Sequence, residues 1–193
     1  MFELPDRFLF MKVGHHAGEE WEQVLARKRR EFEQTGMSFW GYGGNTCHPT
    51  HVRSFAKFAA SEHQKILLVM ELINSKTQLN MASMPNVVAA TEFSMDGVNW
   101  QPIPDGISVT GSRYAMVLSE IRHEAVEVAL NHFEAGIGPS VGRPAEDYLR
   151  YRVDKACFVR SGIQRTSSLP PVRLIRKATF VADLLEPYAV LVR

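Results

Sequence analysis

The chain has 193 residues, 45% of them apolar, and carries 22 Lys plus Arg against 21 Asp plus Glu. That length supports a core without disulfide staples, and a formal charge of +1 excludes a whole-chain field that would steer it to nucleic acid or anionic membrane. Two cysteines exclude a disulfide scaffold; with no basic leader near Met1 and no long apolar run, the expectation is a cytoplasmic protein that does not enter a membrane.

Arg7 to Val13 reads as a strand, ended by Gly14. Gly18 to Thr35 reads as a helix with Glu19 and Glu20 in its first turn, where the dipole favours anions. Its apolar face runs through Trp21, Val24, Leu25 and Phe32, with the Lys28 stem completing it, and Gly36 is the expected C-terminal cap. Met37 to Gly43 is an aromatic-rich strand, placing Phe39 on one face and Trp40 and Tyr42 on the other. A Gly-rich turn follows. His48 then caps a second helix, with Pro49 at the first helical position and Val52, Phe55, Ala56 and Ala59 on its apolar face. Ile66 to Ile73 reads as a buried strand.

Beyond that point the pattern changes. Asn74 to Asn86 reads as a loop, and Val87 to Ser94, Val98 to Ile103 and Ile107 to Leu118 as strands, with a hairpin turn at Met95-Asp96-Gly97. Trp100 is expected to be a core or cross-strand anchor. Ala125 to Phe133 fits strand or helix, Gly136 to Pro144 is a loop, and Ala145 to Tyr151 a short helix. Ala156 to Arg160 and Val172 to Leu185 are apolar segments, and Tyr188 to Val192 a terminal strand. The expected fold is one α+β domain spanning 1–193. A βαβαβ-like start merges into a mixed, mostly antiparallel sheet that can curl toward a partly open barrel.

If the first two strands lie parallel in one sheet, the loops after both fall on one edge, bringing His15 and His16 to the turn between Gly41 and His51. Three chemistries fit that edge. In the leading one, the Gly-rich turn before a helix start binds a phosphate-bearing small molecule or nucleotide. Backbone donors come from Gly43, Gly44, Asn45, Thr46 and Cys47, stacking from Trp40 or Tyr42, and polar contacts from Asn45, His48 and His16. In the second, Cys47 is a nucleophile with His48 or His51 as its base, while Cys157 is a core residue. The third, a metal site, lacks a matching ligand spacing, so no metal is assigned. Separately, the stretch from 143 to 177 is basic. On one face, Arg143, Arg150, Arg152 and Lys155 would contact nucleic acid or a protein partner. No cofactor is identified, and the motifs of kinases, Ser hydrolases and dinucleotide folds are absent from the sequence.

Overall fold

Phe8, Leu9, Phe10 and Met11 are all buried, so the strand they form is covered on both faces, as a central strand must be. The computed structural model describes residues 2–14, 19–73, 88–150, 153–163 and 174–193. In chain order their elements are β1 (Arg7–Val13), α1 (Trp21–Thr35), β2 (Ser38–Tyr42), α2 (Pro49–Ser61), β3 (Leu67–Leu72), β4 (Glu92–Ser94), β5 (Gln101–Pro102), β6 (Tyr114–Leu118), β7 (Arg122–Ala129), β8 (Phe133–Ala135), α3 (Ala145–Leu149), β9 (Lys155–Arg160) and β10 (Ile175–Val192). The segment expected as a loop from Asn74 to Asn86 lies outside the described residues.

All ten strands belong to one mixed sheet, ordered β2-β6-β10-β3-β1-β9-β8 along its main path. β1 pairs parallel with β3, Phe8 opposite Leu67, and antiparallel with β9, Leu9 opposite Cys157. β10 is the backbone of the sheet. Along one edge it pairs first with β7 and then with β6; along the other, first with β3 and then with β4. Its register shifts between Leu184 and Ala189, where Pro187 has no N–H to give. The two apolar segments expected near the C-terminus are thus one strand. The sheet curls but does not close: no pairing joins β7 to β8.

Three apolar layers result. α1 and α2 cover the face carrying Leu9, Met11, Leu68, Met70 and Cys157. The opposite face gathers Phe8, Phe10, Val126, Phe133 and Phe158 inside the curl. A third layer, around Phe39, Ala115 and Val190, lies under the segment holding Ile103 to Val109. β4 to β6 are shorter than their apolar runs suggest, since much of residues 103–111 packs as irregular chain. Trp100 is not a core anchor: it is half-buried, with the Arg193 guanidinium 4.0 Å over its ring.

The predicted assumption about the first two strands is overturned. β2 lies four strands from β1, beyond β6, and successive pairings make it run opposite to β1. It is an edge strand, and α1 protects that edge. Lys28 Nζ donates to the Phe39 carbonyl and Glu31 Oε2 accepts from Phe39 N at 3.2 Å. Lys28 therefore does not snorkel; it is buried with Glu31, whose position on the helix carries no apolar signal. Gly36 caps α1 in the left-handed region, φ 76, as expected.

Candidate functional site

β2 ends at Tyr42, and the turn that follows is exposed at Gly44 and Asn45. The Tyr42 hydroxyl donates to the Cys47 carbonyl at 2.7 Å, closing the turn from below. Two of its residues have left-handed backbones, Gly44 at φ 85 and Cys47 at φ 56. Glycine adopts that region freely, whereas for cysteine it is a constraint imposed by the surroundings. The helix start behind the turn is already satisfied. His48 Nδ1 accepts from Thr50 N at 3.4 Å, and the His48 carbonyl accepts from His51 N and Val52 N. Pro49 has no N–H. The N–H groups of the first turn of α2 are therefore occupied. Free donors lie one step earlier: the N–H groups of Gly44, Asn45 and Thr46 bind no group among the described residues.

β9 supplies the other half of the site. Lys155 and Cys157 are two residues apart, so both point to the helix-covered face, while Ala156 and Phe158 point into the curl. Lys155 is 4% exposed. Its Nζ lies 6.0 Å from the Tyr42 ring centre and bonds Asp154 Oδ1 at 2.6 Å. A β-carbon placed on Gly44 would sit 3.7 Å from that ammonium. The turn thus delivers Gly44 to Lys155 and, three residues on, Cys47 into the buried cluster that holds Cys157. The Cys157 thiol is held well above its ordinary pKa, first by burial and then by the influence of Cys47.

The remaining predicted residues scatter. Trp40 and Tyr42 are core side chains, packed on Trp21 and Tyr114, and burial removes them from stacking on a ligand. His48 and His51 are exposed, with ring centres 6.2 Å apart, and the His48 ring leans on Tyr114. Partial desolvation, first, and the positive charges of His51 and Arg53 hold the pKa of the exposed His48 ring below the ordinary histidine value. Neither histidine hydrogen-bonds Cys47 among the described residues, so the nucleophile–base pair is not assembled. His16 and Arg152 lie outside the described residues. Arg143 and Arg150 are exposed, but Lys155 is buried, so the proposed basic contact set is split. Arg160 is engaged by Asp6 at 2.6 Å and Arg176 by Glu71 at 2.7 Å.

Sequence reasoning placed Lys155 in a surface patch. The signal that could have moved it was alternation: Lys155 shares a strand face with Cys157, already read as core. Two clefts, of about 490 and 380 Å³, lie elsewhere, around Phe93 to Pro187 and around Phe2 to Arg160. Successive backbone N–H groups of a turn form a small anion-binding concavity of their own, apart from these clefts. Among the described residues no three His, Cys, Asp or Glu side chains converge as a metal site, and no helix is long and apolar enough to cross a membrane.

No family model, no curated protein and no solved structure matches this chain.

Proposed function

We propose that this protein binds a small molecule through a phosphate or diphosphate group, held by the Gly43–Thr46 backbone and the Lys155 ammonium. The observation that carries the reading is the placement of Lys155 Nζ beneath Gly44, beside three uncommitted N–H groups. Glycine allows close backbone approach, and the ammonium supplies the charge that a neutral nest lacks. Asp154 supports it in a second way. Its half-exposed carboxylate stands at 2.6 Å from Nζ and serves as the resident anion that a ligand would displace.

Thermal unfolding against inorganic phosphate, pyrophosphate and nucleoside mono-, di- and triphosphates tests this. A ligand at a hundredfold excess over Kd stabilises by about 2.7 kcal/mol, an upward Tm shift of about 5–10 °C for a chain of this size. Lys155→Met should abolish the shift. Asp154→Asn should tighten binding several-fold, since it removes the competing carboxylate. Cys47→Ser should leave affinity unchanged. Equal affinity in wild type and Lys155→Met, or no response to any phosphate compound, would overturn the reading.

A further inference from the structure

The chain has two cysteines, more than a hundred residues apart in sequence, and the fold brings both into one buried cluster. Cys47 comes from the exposed-turn side of the layer and Cys157 from the floor of β9; their relative exposures are 4% and 1%. Gly44 of the same turn lies over Lys155 on the same face of β9, so the turn sets Cys47 in the buried cluster that holds Cys157, and both thiols are free. Cys47 is held there by two features of its own. Its left-handed backbone, φ 56, turns the side chain inward, and the Tyr42 hydroxyl fixes its carbonyl at 2.7 Å. A buried thiol as a mere packing group needs no unusual backbone.

We propose that Cys47 and Cys157 form a redox couple that closes to an intramolecular disulfide when a hydroperoxide oxidises Cys47. The Cys47 thiolate attacks the peroxide, the O–O bond breaks, and the sulfur becomes a sulfenic acid. With hydrogen peroxide the leaving hydroxide takes up a proton as water. The Cys157 sulfur then attacks the Cys47 sulfur. The S–O bond breaks, the S–S bond forms, and the Cys157 proton leaves with hydroxide as a second water. Two thiols and one peroxide give one disulfide and two waters. Cys47 reacts first because it adjoins the exposed turn and Cys157 keeps its proton. The bond would pin the Gly43–Thr46 turn to β9. This inference rests on the two thiols and stands whether or not the turn binds a phosphate.

The test is direct, because no other cysteine can contribute. The folded protein is treated with hydrogen peroxide or diamide, unfolded, and alkylated with a maleimide reagent before mass analysis. Both thiols should disappear together, with a mass loss of two hydrogens and no dimer, and dithiothreitol should restore both. Under peroxide, Cys157→Ser should accumulate a dimedone-reactive sulfenic acid at Cys47. Cys47→Ser should keep Cys157 reduced. Oxygen addition without a cross-link, disulfide-linked dimers, or two thiols still alkylated after both oxidants would each overturn the proposal. The wild-type measurement decides it even if a variant fails to fold.

Discussion

The Glu31 carboxylate meets the Lys28 ammonium through both oxygens at 2.9 Å, with the two side chains 1% and 4% exposed. Glu31 also accepts from Phe39 N and Ser108 N, and Lys28 donates to Ser108 O, so the pair ties α1 to the edge of β2 and to the chain beyond β5. Burial lowers the Lys28 pKa to about 8, against the opposing pull of Glu31. Removing either partner strands a buried charge. Lys28→Met and Glu31→Leu alone should each cost about 3–5 kcal/mol in urea unfolding, and the double variant clearly less than their sum. Additive losses would show that the charges do not stabilise each other.

Gly136 tests the packing of α2 over the sheet. A β-carbon there would stand 2.7 Å from Phe55 Cε2 and 3.0 Å from Val159 Cγ1, and its backbone is not left-handed. Gly136→Ala should therefore destabilise by overpacking, by about 1–3 kcal/mol. Pairing it with Phe55→Leu should recover part of that loss. A neutral Gly136→Ala would mean that α2 sits farther from β9.

Asp96 organises the turn between β4 and β5. Its carboxylate accepts from Asn99 N and Val98 N at 2.8 Å, and from the Asn99 and Ser94 side chains. These bonds, the Asn99 backbone first, hold its pKa well below the ordinary carboxylate range. A depressed acid contributes stability that is present above the unfolded pKa and is lost as pH falls through the folded one. The stability gap between wild type and Asp96→Asn should hold from pH 7 to about 4 and shrink below that. A gap unchanged down to pH 2 would contradict the hydrogen-bond assignment.

Cys157 acts at the other end of the scale. Its folded pKa is raised by burial and by Cys47, so the unfolded thiol ionises first. Its contribution is complete below the unfolded pKa and is lost as pH rises from there toward the folded value. Wild type should therefore lose stability relative to Cys157→Ala as pH climbs past about 8.5. Chemical unfolding of both proteins between pH 7 and 10 reads the difference, and parallel curves would place the thiol in a wetter setting.

The sequence made local structure legible where one residue carried one physical constraint. Pro49 behind His48 fixed the start of α2, Gly36 the end of α1, and the period of Val52, Phe55, Ala56 and Ala59 the buried face. The split of Phe39 from Trp40 and Tyr42 across β2 also followed from alternation alone. Glu31 was invisible because a buried acid is paired through partners that come from other elements.

What the sequence by itself determined was the elements from β1 to β3, their apolar faces and the mixed α+β class, because capping and periodicity are short-range effects. Which strands became neighbours was decided only in three dimensions. β2 pairs with β6 and not with β1, since the hydrogen-bond partner of an edge depends on how the whole sheet buries its faces. That same choice brings Gly44 over Lys155 and Cys47 into the buried cluster of Cys157. No local pattern encodes either contact, because each joins a turn to a strand more than a hundred residues away.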